Sequence, residues 1–268
     1  DLLPDEMNLE YFTMDSKTFR SYAERSPEAF SEPVVNKIKV IDEVQKVPDL
    51  FDAVKLHVDQ DRRPGMYILS GSTEFSQYTG IRESLTGRIG IVHLYPFSLS
   101  EIHQKNFSQY YLKKGNYKAQ LKLNEFEKKL RFGGMPGLFY LHNLEEYRAA
   151  TRQWVETTCF RDLGVVLKKN FDGELALNIL MEIAKCDEPT VSEVASILKK
   201  DARVVKRYLE AFTQILVLKK ISPHDVGVGK DHYIIIDSGI AMFLGANRET
   251  ALRSHCLIEA LSLFESVG

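Results

Sequence analysis

The first hundred residues alternate between short apolar stretches and amphipathic stretches with helical spacing. The apolar stretches are LEYFTMD, KIKVID, GMYILSGS and GIVHLYPFS, and the helical ones include SKTFRSYAERSPEAF and PDLFDAVKLHVDQD. Strands and helices that take turns along a chain are typical of a parallel sheet covered by helices. From about residue 119 onward the pattern is helical, interrupted by one apolar stretch, DHYIIIDSGIAMFLG. The sequence therefore predicts an α/β part followed by a mainly α part.

Composition narrows the class of protein. A hydrophobic fraction of 44% and a charged fraction of 27% are typical of a globular protein with a substantial core. The formal net charge of -2 excludes a globally basic nucleic-acid binder but allows a local basic patch. Three widely spaced cysteines indicate neither a disulfide framework nor a zinc site. No apolar run approaches the roughly 18 residues of a membrane span, so we expect a cytoplasmic protein with no membrane partner.

Two adjacent carboxylates, Asp42 and Glu43, directly follow the apolar stretch KVI. In an open α/β sheet, ligands bind at the carboxyl ends of the strands. There Asp42 would help to hold Mg²⁺ and Glu43 would polarise an attacking water, which is the division of labour that NTP hydrolysis requires. The alternative is a strand that runs into a polar turn without chemistry. Further on, YILSGS ends a strand in hydroxyl groups, so that Ser70 or Ser72 could sense a γ-phosphate.

The order of these segments resembles the AAA+ ATPases, in particular prokaryotic ATP-binding proteins with a helical C-terminal domain. The motifs that carry the resemblance are IKVIDE with its trailing VQKVPDLFDAVK, YILSGS, SLTGR, YPFSLSE, GGMPG and CFRDLG. The resemblance implies a bacterial ATPase that uses ATP and Mg²⁺. It assigns Asp42 to Mg²⁺, Glu43 to the water and Ser72 to the γ-phosphate.

The resemblance also suggests two further candidates. Arg88, in SLTGR, would be an arginine finger or sensor that acts in cis or across a subunit boundary of a homo-oligomer; the alternative is a surface arginine in a loop. Pro136, in GGMPG, would contact the nucleotide base; as a bare sequence feature it is a helix stop followed by a turn.

One expected motif is missing from the sequence. No stretch has the form GxxxxGK[ST], which cradles the phosphates in P-loop NTPases. The resemblance begins at what would be the second strand of the core. We therefore expect that the first strand and the P-loop either precede Asp1 or have been lost, and that this chain alone binds no nucleotide tightly.

Residues 190–221 have the pattern of a winged helix-turn-helix. Thr190 caps a first helix with Glu193 three residues later, and a second helix follows with one apolar face. The segment contains seven Lys or Arg and three Asp or Glu, a local charge of +4. Its basic residues outside the apolar stripe are candidates for contact with DNA phosphates, the alternative being a solvated helix: Lys199, Lys200, Arg203, Lys206 and Arg207.

These observations predict four regions. Residues 1–110 form a partial AAA+-like core without its first strand and P-loop, and 111–175 a helical lid or linker. Residues 176–245 form a winged-helix domain, and 246–268 begin a further C-terminal region. The predicted function is ATP hydrolysis that drives a conformational or assembly process. The rival prediction is a winged-helix module for DNA or a protein partner on a catalytically silent α/β scaffold.

Overall fold

The structure, a computed structural model, describes residues 8–73, 87–103, 122–141, 143–168, 171–224 and 229–267. The chain forms two compact units, an N-terminal unit of residues 1–91 and a C-terminal unit of residues 92–268. The boundary predicted between residues 110 and 111 lies outside the described residues, and the predicted four-region division stays a prediction.

The N-terminal unit contains a parallel three-stranded sheet in the order β1-β2-β3. Its strands alternate with helices along the chain, as the hydrophobic pattern predicts, and this confirms the α/β class of this part. The elements are β1 (Leu9–Thr13), α1 (Lys17–Arg25), α2 (Pro27–Ser31), β2 (Ile38–Asp42), a 3₁₀ turn (Val44–Lys46), α3 (Asp49–Gln60) and β3 (Tyr67–Leu69).

The core of this unit lies between the sheet and α3. Helix α3 begins after Pro48 and carries Asp49 and Asp52 in its first turn, where negative charge favours the exposed N–H groups of a helix. Its apolar side chains Leu50 and Phe51 are buried together with Ile41 of β2. Burial of such side chains contributes about 1.5–3 kcal/mol each, so α3 is fixed against the strand that leads to Asp42.

The fourth predicted strand, GIVHLYPFS, is absent from the structure. Residues 89–98 have no strand conformation, and Val92 and Leu94 are 72% and 90% exposed. A strand requires a hydrogen-bonded neighbouring strand, and none of the strands among the described residues pairs with this segment. The apolar pattern alone was therefore an insufficient reason to predict a strand here.

The C-terminal unit is mainly helical, as predicted. Its helices and its antiparallel strand pair are α4 (Leu99–Ile102), α5 (Leu123–Phe132), α6 (Pro136–Phe139), α7 (Leu144–Thr157), α8 (Leu163–Leu167), α9 (Gly173–Lys185), α10 (Val191–Leu198), α11 (Ala202–Gln214), β4 (Leu218–Ile221), β5 (His232–Ile235), α12 (Ser238–Phe243) and α13 (Arg248–Val267). No helix in the described part of the chain is long and apolar enough to cross a membrane.

Helices α9, α10 and α11, followed by the β4–β5 pair, occupy the segment predicted to be a winged helix. Thr190 caps α10 by accepting a hydrogen bond from the backbone N–H of Glu193 at 3.3 Å. The apolar face of α11 is buried, with Tyr208 and Phe212 at its centre. The assignment of these elements to the winged-helix class stays a prediction.

Helices α7 and α8 are joined without a break by a π-helical turn, Thr158–Asp162. The buried side chains along this long helix recur every four residues: Tyr147, Thr151, Val155, Cys159 and Leu163. Arg161 and Asp162 of the CFRDLG motif lie between Cys159 and Leu163. They form an exposed ion pair with 2.8 Å between Nε and Oδ1.

Candidate active site

The carboxyl ends of the three parallel strands meet at one edge of the N-terminal sheet. Thr13 and Asp42 are register partners, and the N–H of Met14 donates to the carbonyl of Asp42 at 2.9 Å. On the other side of β2, the N–H of Ser70 donates to the carbonyl of Ile41 at 3.0 Å. This edge therefore places the polar residues that follow each strand beside one another.

Asp42 is the central carboxylate of this edge. The Ser70 hydroxyl donates to its Oδ1 at 2.7 Å, and the Tyr11 hydroxyl donates to its Oδ2 at 2.9 Å. Partial burial by itself would raise the pKa of Asp42, but these hydrogen bonds outweigh burial and hold that pKa below its ordinary value. Asp42 is thus kept ionised and oriented.

The oxygen donors around Asp42 suit a hard cation. Mg²⁺ in nucleotide sites is usually held by only one or two carboxylates, with waters and phosphates as its other ligands. One ionised carboxylate beside the Ser70 hydroxyl meets that requirement. Among the described residues there is no cluster of three or more His, Cys, Asp or Glu side chains that could hold a metal without a substrate.

Glu43 follows Asp42 in a left-handed backbone conformation, with φ 55° and ψ 36°. This conformation is uncommon for a residue other than glycine, and it turns the chain into the 3₁₀ turn Val44–Lys46. The N–H of Val44 donates to the carbonyl of Ser70 at 3.1 Å, and the Val44 side chain is buried, so the turn is tied to the end of β3.

Two side chains of the 3₁₀ turn contact the Glu43 carboxylate. Gln45 Nε2 donates to Oε2 of Glu43 at 3.1 Å, and Lys46 Nζ lies 3.1 Å from the same oxygen. Lys46 also pairs with the carboxylate of Asp15, which follows β1. Within the described residues, this edge therefore contains three carboxylates, those of Asp15, Asp42 and Glu43, and the ammonium group of Lys46.

Ser70 and Ser72 have different surroundings. Ser70 contacts Asp42, whereas the exposed Ser72 accepts a hydrogen bond from Gln45 Nε2 at 3.2 Å. Two buried oxygens, Oε1 of Gln45 and Oγ1 of Thr73, have no hydrogen-bond partner among the described residues.

Arg88 is paired with a residue of α3. Its Nε and one terminal nitrogen lie 2.5 Å and 3.2 Å from the two carboxylate oxygens of Asp59. This contact lowers the pKa of Asp59. The structure thus brings Asp42, Glu43 and Ser72 into one connected group and gives Arg88 a partner at the far end of α3.

Pro136 is the exposed first residue of α6 in the C-terminal unit. The glycines before Pro136 adopt backbone conformations and make backbone contacts that suit glycine. The N–H groups of Gly134 and Met135 donate to Oδ2 of the buried Asp237 at 2.7 and 3.2 Å, and Gly133 has φ +70°. A nucleotide contact by Pro136 stays a prediction.

Four of the five candidate DNA-binding residues are exposed: Lys199, Lys200, Arg203 and Lys206. Arg203 lies 3.4 Å from Asp201, and Lys206 lies 3.6 Å from Glu210, so part of their charge is compensated at the surface. Arg207 is half-buried, with its guanidinium carbon 5.6 Å from the ring centre of Tyr208. The exposed part of this face remains basic.

The sequence pattern did not predict four residues of this edge: Tyr11, Asp15, Gln45 and Lys46. Tyr11 shares a strand face with Thr13, the register partner of Asp42, and period-two alternation could have placed it near that carboxylate. The sequence indicates the positions of Gln45 and Lys46 at this edge less clearly. Their contacts depend on the left-handed conformation of Glu43, which its residue type does not predict.

The comparison with known families agrees with this geometry. Residues 1–103 match the AAA domain family. Over 192 residues the chain is also 24% identical to two uncharacterised proteins, one from Mycobacterium tuberculosis and one from Mycobacterium bovis. Each alignment covers 71% of this chain and 39% of the relative, so the chain spans about two fifths of the length of these relatives.

The AAA domain match covers β1 to β3 and the polar edge between them. It confirms the resemblance that the motifs IKVIDE and YILSGS indicated for this part of the chain.

Proposed function

We propose that the intact protein hydrolyses ATP at the carboxyl edge of the N-terminal sheet and uses the energy for a conformational or assembly process. The observation that carries the proposal is the ionised Asp42, fixed by Ser70 and Tyr11, with Glu43 next to it. The AAA domain match of residues 1–103 supports the same chemistry.

In this proposal Asp42 helps to hold Mg²⁺, which would neutralise charge on the phosphates when bound. Glu43 orients the attacking water and accepts its proton. Ser72 senses the γ-phosphate and Arg88 stabilises charge in cis or from a neighbouring copy, after leaving Asp59. Pro136 contacts the base. No residue of this chain is assigned to the phosphate cradle, because the sequence contains no P-loop motif.

Glu43→Gln, made in the protein expressed from its complete gene, tests the proposal. We expect turnover to fall by about 10²–10⁴-fold, the usual contribution of a positioned base, while a fluorescent ATP analogue still binds in the presence of Mg²⁺. Phosphate release and analogue titration measure the two effects. Glu24→Gln, the same substitution on the exposed side of α1, is the matched control and should leave turnover unchanged. Equal turnover in Glu43→Gln and the parent would rule out this role.

The exposed basic residues near and on α11 support a second function, contact with DNA phosphates. Four such contacts, by Lys199, Lys200, Arg203 and Lys206, predict that log K falls with log salt with a slope of about -3 to -4. Charge reversal at Arg203 and Lys206 should weaken binding to all sequences alike, because phosphate contacts do not read bases. Titration of labelled duplex at two salt concentrations measures the slope. If binding does not depend on salt concentration, or if no binding is detected, the result would favour a protein-partner or structural role for this segment.

A further inference from the structure

The arrangement around Glu43 is asymmetric. Both donors of the 3₁₀ turn, Gln45 Nε2 and Lys46 Nζ, approach the same oxygen, Oε2, at 3.1 Å. Among the described residues no hydrogen bond or ion pair is made to the other oxygen, Oε1. Contacts to one oxygen of a carboxylate orient the group, and the second oxygen stays available to another partner.

Gln45 also connects Glu43 to the end of β3. Its single amide nitrogen donates both to Glu43 and to Ser72, and its buried amide oxygen has no donor in the part of the chain that the structure describes. The backbone of the same turn is tied to Ser70 through the N–H of Val44. Any displacement of the Ser72 segment is therefore transmitted to Glu43 through one side chain and one backbone contact.

We propose that Gln45 and Lys46 are positioning residues that hold Glu43 by Oε2 and set its direction according to the place of Ser72. The inference rests on the proposed function, because it assigns these residues a role in the same hydrolysis. Lys46 contributes a positively charged ammonium group. That group also forms an ion pair with the carboxylate of Asp15, which follows the neighbouring strand β1. Charge-assisted contacts of this kind are stronger than neutral ones, so Lys46 fixes the oxygen and Gln45 links it to Ser72.

The first test replaces Gln45 by Met in the protein expressed from its complete gene. The apolar side chain has a similar length but removes the donor. We expect kcat to fall by about ten- to a hundredfold, because a small misplacement of a catalytic group has effects of this size, with KM for ATP unchanged. Gln60→Met, at an exposed glutamine on α3, is the matched control.

A double variant separates positioning from a general structural effect. In a Glu43→Gln background, Gln45→Met should cause no further loss of the residual rate, because the group that it positions is already gone. A loss that multiplies with that of Glu43→Gln would overturn the proposal. Lys46→Met should also lower kcat, and a rise in kcat would show that Lys46 restrains Glu43 instead of positioning it.

Denaturation gives a readout that does not depend on turnover. The denaturation midpoints of Gln45→Met, Ser72→Ala and the double variant should be non-additive, because both single changes remove the same hydrogen bond. Additive midpoints would contradict the link to Ser72. The two proposals fail differently: a parent protein that does not hydrolyse ATP ends the proposed function, whereas an active parent with an equally active Gln45→Met variant overturns only the positioning role.

Discussion

Two aspartates in this chain follow apolar strands and have opposite surroundings. Asp42 ends the strand sequence KVID in the N-terminal unit, and Asp237 ends IIID in the C-terminal unit. Asp42 is partly exposed and accepts hydrogen bonds from two side-chain hydroxyls. Asp237 is 2% exposed and accepts from three backbone N–H groups, those of Gly134, Met135 and Ile240.

The difference shows that the donors around a carboxylate decide its role. Backbone N–H groups are held in place by the fold. Asp237 therefore stays in position as the cap of α12 and as the acceptor that fixes the loop between α5 and α6. Hydroxyl groups can rotate, and a partly exposed carboxylate retains free lone pairs for a cation. The same local sequence therefore gives a structural residue in one unit and a candidate ligand in the other.

The largest effect is expected for Gly133→Ala. Gly133 has φ +70° and ψ -159°, a region essentially confined to glycine, and a Cβ there would lie 2.0 Å from Oδ1 of Asp237. We expect the free energy of unfolding to fall by more than about 4 kcal/mol, measured by urea denaturation. Gly137→Ala, where a Cβ would meet nothing within 4 Å, should be nearly neutral. Equal losses at the two glycines would remove the steric explanation.

Substitution of each aspartate by alanine tests whether the two carboxylates have different roles. Asp237→Ala leaves up to three buried N–H groups without an acceptor and should cost about 3 kcal/mol of stability. Asp42→Ala should cost less than about 1 kcal/mol, because its hydroxyl partners can turn to water, but should abolish hydrolysis in the intact protein. Urea denaturation and phosphate release measure the two properties. A greater stability loss at Asp42 would reverse our interpretation.

The buried charges of the C-terminal unit predict a pH dependence. Burial, and secondarily the nearby Lys129 ammonium group, lower the pKa of the 4% exposed His255 to about 4. Between pH 6.5 and 4 the unfolded chain binds a proton that the folded chain does not, so stability falls as the pH falls through this range. The neighbouring Glu259, whose pKa is raised by burial, acts in the opposite direction.

His255→Gln should remove the His255 contribution, and Glu259→Gln together with the double variant measures the coupling between these two side chains, whose Nδ1 and Oε1 lie 3.8 Å apart. We expect the loss of stability between pH 7.5 and 5 to be smaller in His255→Gln than in the parent by about 2 kcal/mol, measured by urea denaturation at each pH. Identical pH profiles for the parent and His255→Gln would show that His255 is solvated or charged in the folded state.

The smallest effect is expected for Arg161→Ala. The ion pair with Asp162 is exposed, with 75% of the arginine side chain accessible to water. Such pairs contribute about 0–1 kcal/mol, so the melting temperature should change by no more than a degree or two. A larger loss would indicate that the π-helical turn depends on this pair.

The sequence predicted those features that depend on local pattern. The three strands and α3 follow from short apolar periodicity, and the adjacent carboxylates Asp42 and Glu43 were found because they directly end a strand. The absent strand at residues 89–98 and the contacts of Gln45 were not predictable in this way, because each depends on a neighbour that is distant in sequence or on one backbone angle. Two of the three donors of Asp237, the N–H groups of Gly134 and Met135, are about a hundred residues away in the chain, so its sequence context could not distinguish it from Asp42.

The π-helical turn has a consequence for how this chain tolerates insertions and deletions. In an ideal α-helix, a side chain every four residues drifts around the axis by about 40° per step, so the row from Tyr147 to Leu163 would leave the core. The wider turn at Thr158–Asp162 rotates less per residue and keeps that row on one side. Deletion of one residue within the turn should restore ordinary helical hydrogen bonding and leave the direction of Leu163 and α8 nearly unchanged, because five residues of a π-helical turn rotate about as far as four residues of an α-helix. The π-helical turn therefore accommodates one extra residue without a change in the side of α8 that is buried.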